Sequence, residues 1–287
     1  MISTIISGFA PARNPIADER LANRRRAKPD RSILVRIKRC DGPGKPSRWE
    51  EFKVTVTTGS NVISVLQSIA ANPVTTSNQR TTPIVYDSGC LEEVCGSCTM
   101  VINGMARQSC SCLLDDYAPA EGDIITLEPM SKFPVVRDLW VDRERMFHNL
   151  KRVKAWVPID GTYDLGAGPK ETPASQEQHY TLATCMTCGC CLEACPQFNL
   201  EENKADWDTA FIGASTIGQV QLFNQHETGK QLKNDRLEVL MGPGGVSDCG
   251  NAQNCVKVCP KHIPLTEAIA AMGRAVVIRS VAKFFRG

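Results

Sequence analysis

Fourteen cysteines in 287 residues are the side chains with most chemistry to offer, and their spacing separates eleven of them into three groups. In the first, Cys90, Cys95 and Cys98 are spaced C-x4-C-x2-C, and Cys110 follows after eleven intervening residues. That opening triplet is the spacing of plant-type [2Fe–2S] loops, which wrap three thiolates around iron and then need one return ligand. A zinc site is the competing reading, but x4 followed by x2 is an unusual zinc spacing. The second group, Cys185-x2-Cys188-x2-Cys191-x3-Cys195-Pro196, is the bacterial ferredoxin run. The third, Cys249-x5-Cys255-x3-Cys259-Pro260, becomes the same run if Ala252 stands where a second cysteine would.

In ferredoxins with two such runs, the fourth cysteine of each ligates the other cluster. Applied here, Cys185, Cys188, Cys191 and the distant Cys259 supply four thiolates, the set for a [4Fe–4S] cluster. Cys249 and Cys255 with Cys195 supply three, and Ala252 has no ligand atom, so this set is expected to hold a [3Fe–4S] cluster. Iron bound through these eleven cysteines is the metal expected of the chain. Cys40, Cys112 and Cys190 remain. The first two are expected to be buried small apolar residues. Cys190 sits beside Cys191 and leaves the count open at one position, where the ferredoxin register favours Cys191.

No catalytic residue emerges. There is no G-x-G-x-x-G or G-x-x-x-x-G-K-[ST] loop, and Gly242-Pro243-Gly244-Gly245 reads as a turn. His148, His179, His226 and His262 show neither zinc nor triad spacing. Three clusters without a substrate site read as a wire, with donor and acceptor chemistry on other subunits.

Composition agrees with a folded metalloprotein. Net charge is +2, hydrophobic residues make up 42% and charged residues 22%, which excludes wholesale disorder and collagen-like structure. No apolar run approaches the ~18 residues of a membrane span. Disulfide scaffolds belong to short secreted chains, and Met1–Ala10 has no positive charge ahead of its apolar stretch, as a secretory signal would. Residues 1–31 carry seven Arg or Lys against three acids and read as a basic, solvated, flexible extension. Their acidic residues argue against a mitochondrial transit peptide.

The elements that must position the cysteines can be read on either side of them. Ser32–Cys40 and Trp49–Thr57 alternate apolar and polar residues as strands do, with Asp41-Gly42-Pro43-Gly44 as the turn between. Asn61 caps an expected helix over Val62–Ala71. Asn103-Gly104 marks a hairpin joining Thr99–Ile102 to Met105–Gln108, which puts position 98 opposite 109 and returns Cys110 beside Cys98. Ile124–Glu128 is a last strand. Residues 32–133 therefore read as a small α+β domain. Residues 134–287 read as helical, with a helix over Asp138–Val153, a Gly/Pro-rich loop over Gly161–Pro173 and a basic amphipathic packing helix over Leu265–Phe285.

The cysteine order, with Cys90-Leu-Glu-Glu-Val-Cys95-Gly-Ser-Cys98 and Cys259-Pro-Lys-His-Ile-Pro, resembles the iron–sulfur subunits of succinate dehydrogenase and fumarate reductase over residues 32–287. The resemblance implies an α+β fold, a β-grasp [2Fe–2S] ferredoxin domain followed by an all-α helical ferredoxin domain. It implies an FAD-containing flavoprotein partner that carries the dicarboxylate chemistry, and a membrane-anchor cytochrome b subunit with quinone at the shared interface. It also implies a peripheral place on the cytoplasmic face of a bacterial inner membrane, or alternatively the matrix side of the mitochondrial one. Quinone contacts of the family map to Pro196 and Gly250. Ubiquinone-reducing members carry a Trp pair where this chain has Asn199 and Leu200, and His where it has Gly250. Met186-Thr187-Cys188-Gly189 and Asp248-Cys249-Gly250-Asn251 are more similar to menaquinone-linked bacterial enzymes. Fumarate reduction along the same wire, a freestanding multi-cluster carrier and a zinc-binding interaction protein are the alternatives.

Overall fold

The structure, a computed structural model, describes residues 29–158 and 170–285. Most of the basic extension (1–28) and most of the Gly/Pro-rich loop (159–169) lie outside the described residues.

The first half is a five-stranded sheet. β1 (Arg31–Arg39) pairs antiparallel with β2 (Arg48–Val56), from Arg31 opposite Val56 to Arg39 opposite Arg48. The alternation read from sequence is the alternation of burial: Ile33, Val35 and Ile37 point inward, as do Phe52, Val54 and Val56. The helix α1 (Val62–Ala71) lays Val62, Val65, Leu66 and Ile69 into the same core. Its start is fixed by a capping box in which the Asn61 side chain accepts from the Ser64 amide and Ser64 reaches back to the Asn61 amide. β3 (Thr99–Ile102) and β4 (Met105–Gln108) form the expected hairpin, and after the short helix α2 (Leu114–Tyr117) comes β5 (Ile124–Glu128). The sheet order β2-β1-β5-β3-β4 has β1 and β5 parallel at its centre and α1 packed on one face, the β-grasp arrangement.

The expected helix over Asp138–Val153 is wrong at its start. β6 (Val135–Arg137) and β7 (Trp140–Val141) form a small hairpin first, and the helix, α3, runs Glu144–Arg152. Tertiary contacts override the local pattern here. Asp138 adopts a left-handed backbone (φ 48°) and its carboxylate accepts from Arg39 Nε at 2.8 Å and Nη2 at 3.1 Å, from the Cys40 amide and from the Val85 amide. Leu139, which falls within the helix expected from sequence, accordingly packs in the sheet core.

The second half is helical: α4 (Pro173–Ala183), α5 (Cys190–Glu193), α6 (Ala214–Gln225), α7 (Lys233–Met241), α8 (Asn254–Lys257) and α9 (Leu265–Phe284). Thr172 caps α4, so Pro173 opens a helix where the sequence reading ended a loop. The core of this half gathers Met146, Leu192, Phe198, Ile217, Val220, Leu240 and Leu265, and also takes Met130 and Phe133 from the segment that leaves the sheet. That segment is held by the Glu193 carboxylate, which accepts from Ser131 and Lys132. The C-terminal helix packs through Leu265, Ala268 and Met272, while Val277, Ile278, Val281 and Phe284 are exposed at its far end. Among the described residues no helix is long and apolar enough to cross a membrane.

Arg39 and Asp138 are both fully buried. Removing one partner of such a pair strands a charge, which costs about 3–5 kcal/mol. Arg39→Met, which leaves the Asp138 carboxylate buried without a countercharge, is expected to lower unfolding stability by that order in a denaturant titration. Lys38→Ala, which breaks the half-exposed pair with Glu128, is expected to cost less than about 1 kcal/mol.

Candidate functional site

The first cysteine loop is curled by left-handed residues, Leu91 (φ 62°), Glu93 (φ 57°) and Gly96 (φ 75°), which turn backbone amides inward. Cys90 Sγ accepts from the amides of Glu92, Val94 and Cys95 at 3.3–3.4 Å, and Cys95 Sγ from the amide of Cys90 at 3.4 Å. Such a nest stabilises sulfur in its anionic form. The Cys90 amide, with help from Ser97, holds the exposed Cys95 thiol down at about 6. Cys98 and Cys110 lie below, packed together with Ile63, and burial pushes Cys98 up to about 12. The hairpin sets this pair: the Ser109 amide donates to the Cys98 carbonyl, so 98 does face 109.

The two later runs repeat one backbone. Thr187 (φ 52°) and Gly189 (φ 87°) are left-handed in the first run, and Asn251 (φ 53°) and Gln253 (φ 60°) at the same offsets in the second. Each run then enters a one-turn helix, α5 at Cys190 and α8 at Asn254. In this register Ala252 matches Cys188, Cys255 matches Cys191 and Cys190 matches Asn254.

The runs exchange their last cysteines. Cys185, Cys188, Cys191 and Cys259 line one cavity, with Ser215, Ile263 and Leu265. Cys195, Cys249 and Cys255 line another, with Ala252 on its wall. Cys190 is fully buried but lines neither. Its sulfur is turned toward β4, 3.7 Å from Gln108 Nε2, and it packs with Ala106 and Cys188. Contact with the Cys190 side chain draws Cys188 down to about 7, and the same contact with burial drives Cys190 upward. Burial raises Cys185, Cys191 and Cys255. Cys40 and Cys112 are buried in and beside the sheet core, as expected of small apolar residues.

The donor sets fit iron–sulfur clusters: thiolates of four, four and three cysteines, backed by inward amides and walled by apolar side chains. Pro196 and Gly250, mapped from the resemblance to the quinone vicinity, line the three-cysteine cavity together with Gln197. A Cβ on Gly250 would meet Gln197 Nε2 at 2.8 Å.

Several residues about these cavities are not visible as motifs. Ser215 and Gln219, on the face of α6 toward the second run, reach the sulfurs of Cys191 and Cys185. Gly96 is a second case: a Cβ there would lie 2.8 Å from the Met186 carbonyl and 2.9 Å from the Cys188 Cα, so the first loop rests directly on the second run. Only its left-handed conformation hinted at a special place, and a hint of that kind says nothing about its neighbour.

A β-grasp sheet with a C-x4-C-x2-C loop, joined to a helical unit with two interleaved cysteine runs, defines an iron–sulfur electron-transfer protein. Comparison with known proteins agrees half by half. Residues 34–148 match the family model of a 2Fe-2S iron-sulfur cluster binding domain, and residues 181–263 that of a 4Fe-4S dicluster domain. The chain is 52% identical over 255 residues to the succinate dehydrogenase iron-sulfur subunit of Bacillus subtilis, covering 89% of this chain and 96% of that one. It is 28% identical over 251 residues to the fumarate reductase iron-sulfur subunit of Wolinella succinogenes, covering 86% and 98%. A chain of the Mycobacterium smegmatis Sdh1 complex in the apo form shares the fold, with a TM-score of 0.69 at 21% identity over 88% of this chain and 98% of that one. The chain belongs to the family of succinate dehydrogenase and fumarate reductase iron–sulfur subunits.

The nest at Cys95 makes a chemical prediction. In iron-free protein at pH 7, iodoacetamide should modify Cys95 ahead of the other ten cysteines of the three groups, because it is exposed and its thiol is lowered to about 6. The rate should rise with pH through about 6 and level off above it, and iron loading should abolish it, as read by peptide mass mapping.

Proposed function

We propose that this chain carries electrons between the flavin of a dicarboxylate-oxidising partner subunit and a quinone at a membrane-anchor subunit. Bound clusters would each accept and release one electron at a time. Cys90, Cys95, Cys98 and Cys110 hold the [2Fe–2S] cluster, Cys185, Cys188, Cys191 and Cys259 the [4Fe–4S], and Cys195, Cys249 and Cys255 the [3Fe–4S]. The observation that carries this reading is the exchange of Cys195 and Cys259 between the two cavities, which leaves four sulfurs in one and three in the other.

The order along the path follows from contact. Gly96 brings the first loop against Cys188, and the short stretch from Cys191 through the end of α5 then leads to Cys195 in the third set. Residues 255–259 make the same link in the opposite sense. The chain's own contribution is to fix these sulfurs, exclude water from the buried ones and supply amides that stabilise negative charge.

The third set marks the quinone end. Pro196 and Gly250 lie on its cavity, and α9 lines the same cavity with Thr266 and Ile269 before exposing Val277, Ile278, Val281 and Phe284. Exposed apolar side chains on the helix that begins at the last cluster suit a membrane-anchor subunit. Glycine at 250 and Asn199-Leu200 after Phe198, in place of the bulkier ubiquinone-type residues, support menaquinone as the acceptor. The subunit then sits peripherally on the cytoplasmic face of a bacterial inner membrane, with succinate oxidation as the forward direction.

EPR on the native membrane complex tests the assignment. Oxidised, anaerobically purified complex should show a three-iron signal, and succinate should reduce it; fully loaded complex without that signal overturns the reading. Ala252→Cys supplies the missing ligand position. It should remove the oxidised three-iron signal and raise iron from about nine to about ten atoms per chain.

A further inference from the structure

The seam between the first and second cysteine sets holds a positive charge that ligand positions alone do not account for. Arg143, just ahead of α3, turns its guanidinium onto the first loop. Nη1 donates to the Gly96 carbonyl at 2.6 Å, and Nη2 to the carbonyls of Ser97 at 2.5 Å and Thr99 at 3.4 Å. Gly96 is the residue that touches Met186 and Cys188 across the seam, so the guanidinium is fastened to the strip of chain between the two sets. Buried Gln108 fills the space beside it. Its Nε2 donates to Thr99 Oγ1 at 2.6 Å and lies 3.7 Å from Cys190 Sγ, and its Oε1 lies 3.5 Å from Cys98 Sγ.

The hydrogen bonds of Arg143 all go to carbonyls, which satisfy its donors without cancelling its charge. The exposed Asp87 carboxylate acts on it, as do the sulfurs of Cys188 and Cys98, which are anionic when they hold iron. A half-buried guanidinium stays charged and favours an opposite charge nearby. Thiolate-held clusters carry net negative charge that grows by one on reduction, and that charge helps set their potentials.

We propose that Arg143 is a positioning residue, clamped between the [2Fe–2S] and [4Fe–4S] ligand loops, whose fixed positive charge holds up the reduction potentials of both clusters. The proposal rests on the ligand assignment above. A charge seated between two neighbouring sites stabilises one electron on either of them. It therefore lifts both potentials together and leaves the difference between them nearly unchanged.

Anaerobic redox titration of the whole complex, followed by EPR, tests this in the parent protein, Arg143→Gln, Arg143→Lys and Asp87→Asn. In Arg143→Gln both midpoints should fall by at least the equivalent of a tenfold change in the oxidised-to-reduced ratio, about 59 mV for one electron. Arg143→Lys should keep most of the parent values, and the [3Fe–4S] midpoint should stay fixed as an internal reference. Asp87→Asn, an exposed change that removes the opposing charge, should move the same two midpoints upward. Unmoved [2Fe–2S] and [4Fe–4S] midpoints with all three signals present overturn the proposal, as do equal falls in the Gln and Lys variants. If Arg143→Gln fails to assemble, Asp87→Asn decides alone: an upward shift supports the proposal and no shift overturns it. Missing cluster signals in the parent complex would instead overturn the ligand assignment.

Discussion

A cage of four sulfurs cannot easily be closed by one short stretch of chain, because three ligands at x2 spacing already consume its curvature. The helical half solves this by exchange. Each run spends its first cysteines on its own cavity and sends the last, Cys195 or Cys259, through a one-turn helix to the other. Everything nearby serves that exchange: the left-handed residues that curl each run, the buried Leu192 between α5 and α6, and α9, whose first turn walls both cavities through Leu265, Thr266 and Ile269. The core of this half is built around sulfur as much as around leucine.

Much of this was legible in the sequence because the signals were local. Alternation gave β1 and β2, Asn61 gave the start of α1, and Asn103-Gly104 gave a hairpin register correct to the residue. The exchange of cysteines was legible for a different reason: it is a counting rule attached to a spacing. What stayed hidden was contact between distant segments. The apolar period over 138–153 suggested one helix, but Asp138 is claimed by Arg39 across 99 residues of chain, and the helix begins six residues later. Cys190 and Cys191 could be separated only by register until the structure turned one sulfur toward β4 and the other into a cavity. Arg143 looks in sequence like any surface arginine in a charged helix start.

The linking segment shows how the two halves are joined. Met130 and Phe133 enter the helical core, Leu139 returns to the sheet core, and Val141 enters the helical core again. Glu193 and Arg39 fasten this weave from opposite sides, one through the amides of Ser131 and Lys132, the other through Asp138. Interfaces between domains within a chain usually leave room for relative motion. Here the covalent link itself is divided between the two cores.

The contact at Gly96 has a consequence for how the protein can be used. Soluble ferredoxins are couriers: they load at one partner, diffuse and discharge at another. A chain whose first and second metal loops touch through a residue with no side chain, and whose linker is sewn into both cores, holds those loops at a fixed separation. It is a fixed conductor. Its throughput is set by what is plugged into its two ends, and the chain has reason to be built into a standing assembly instead of circulating on its own.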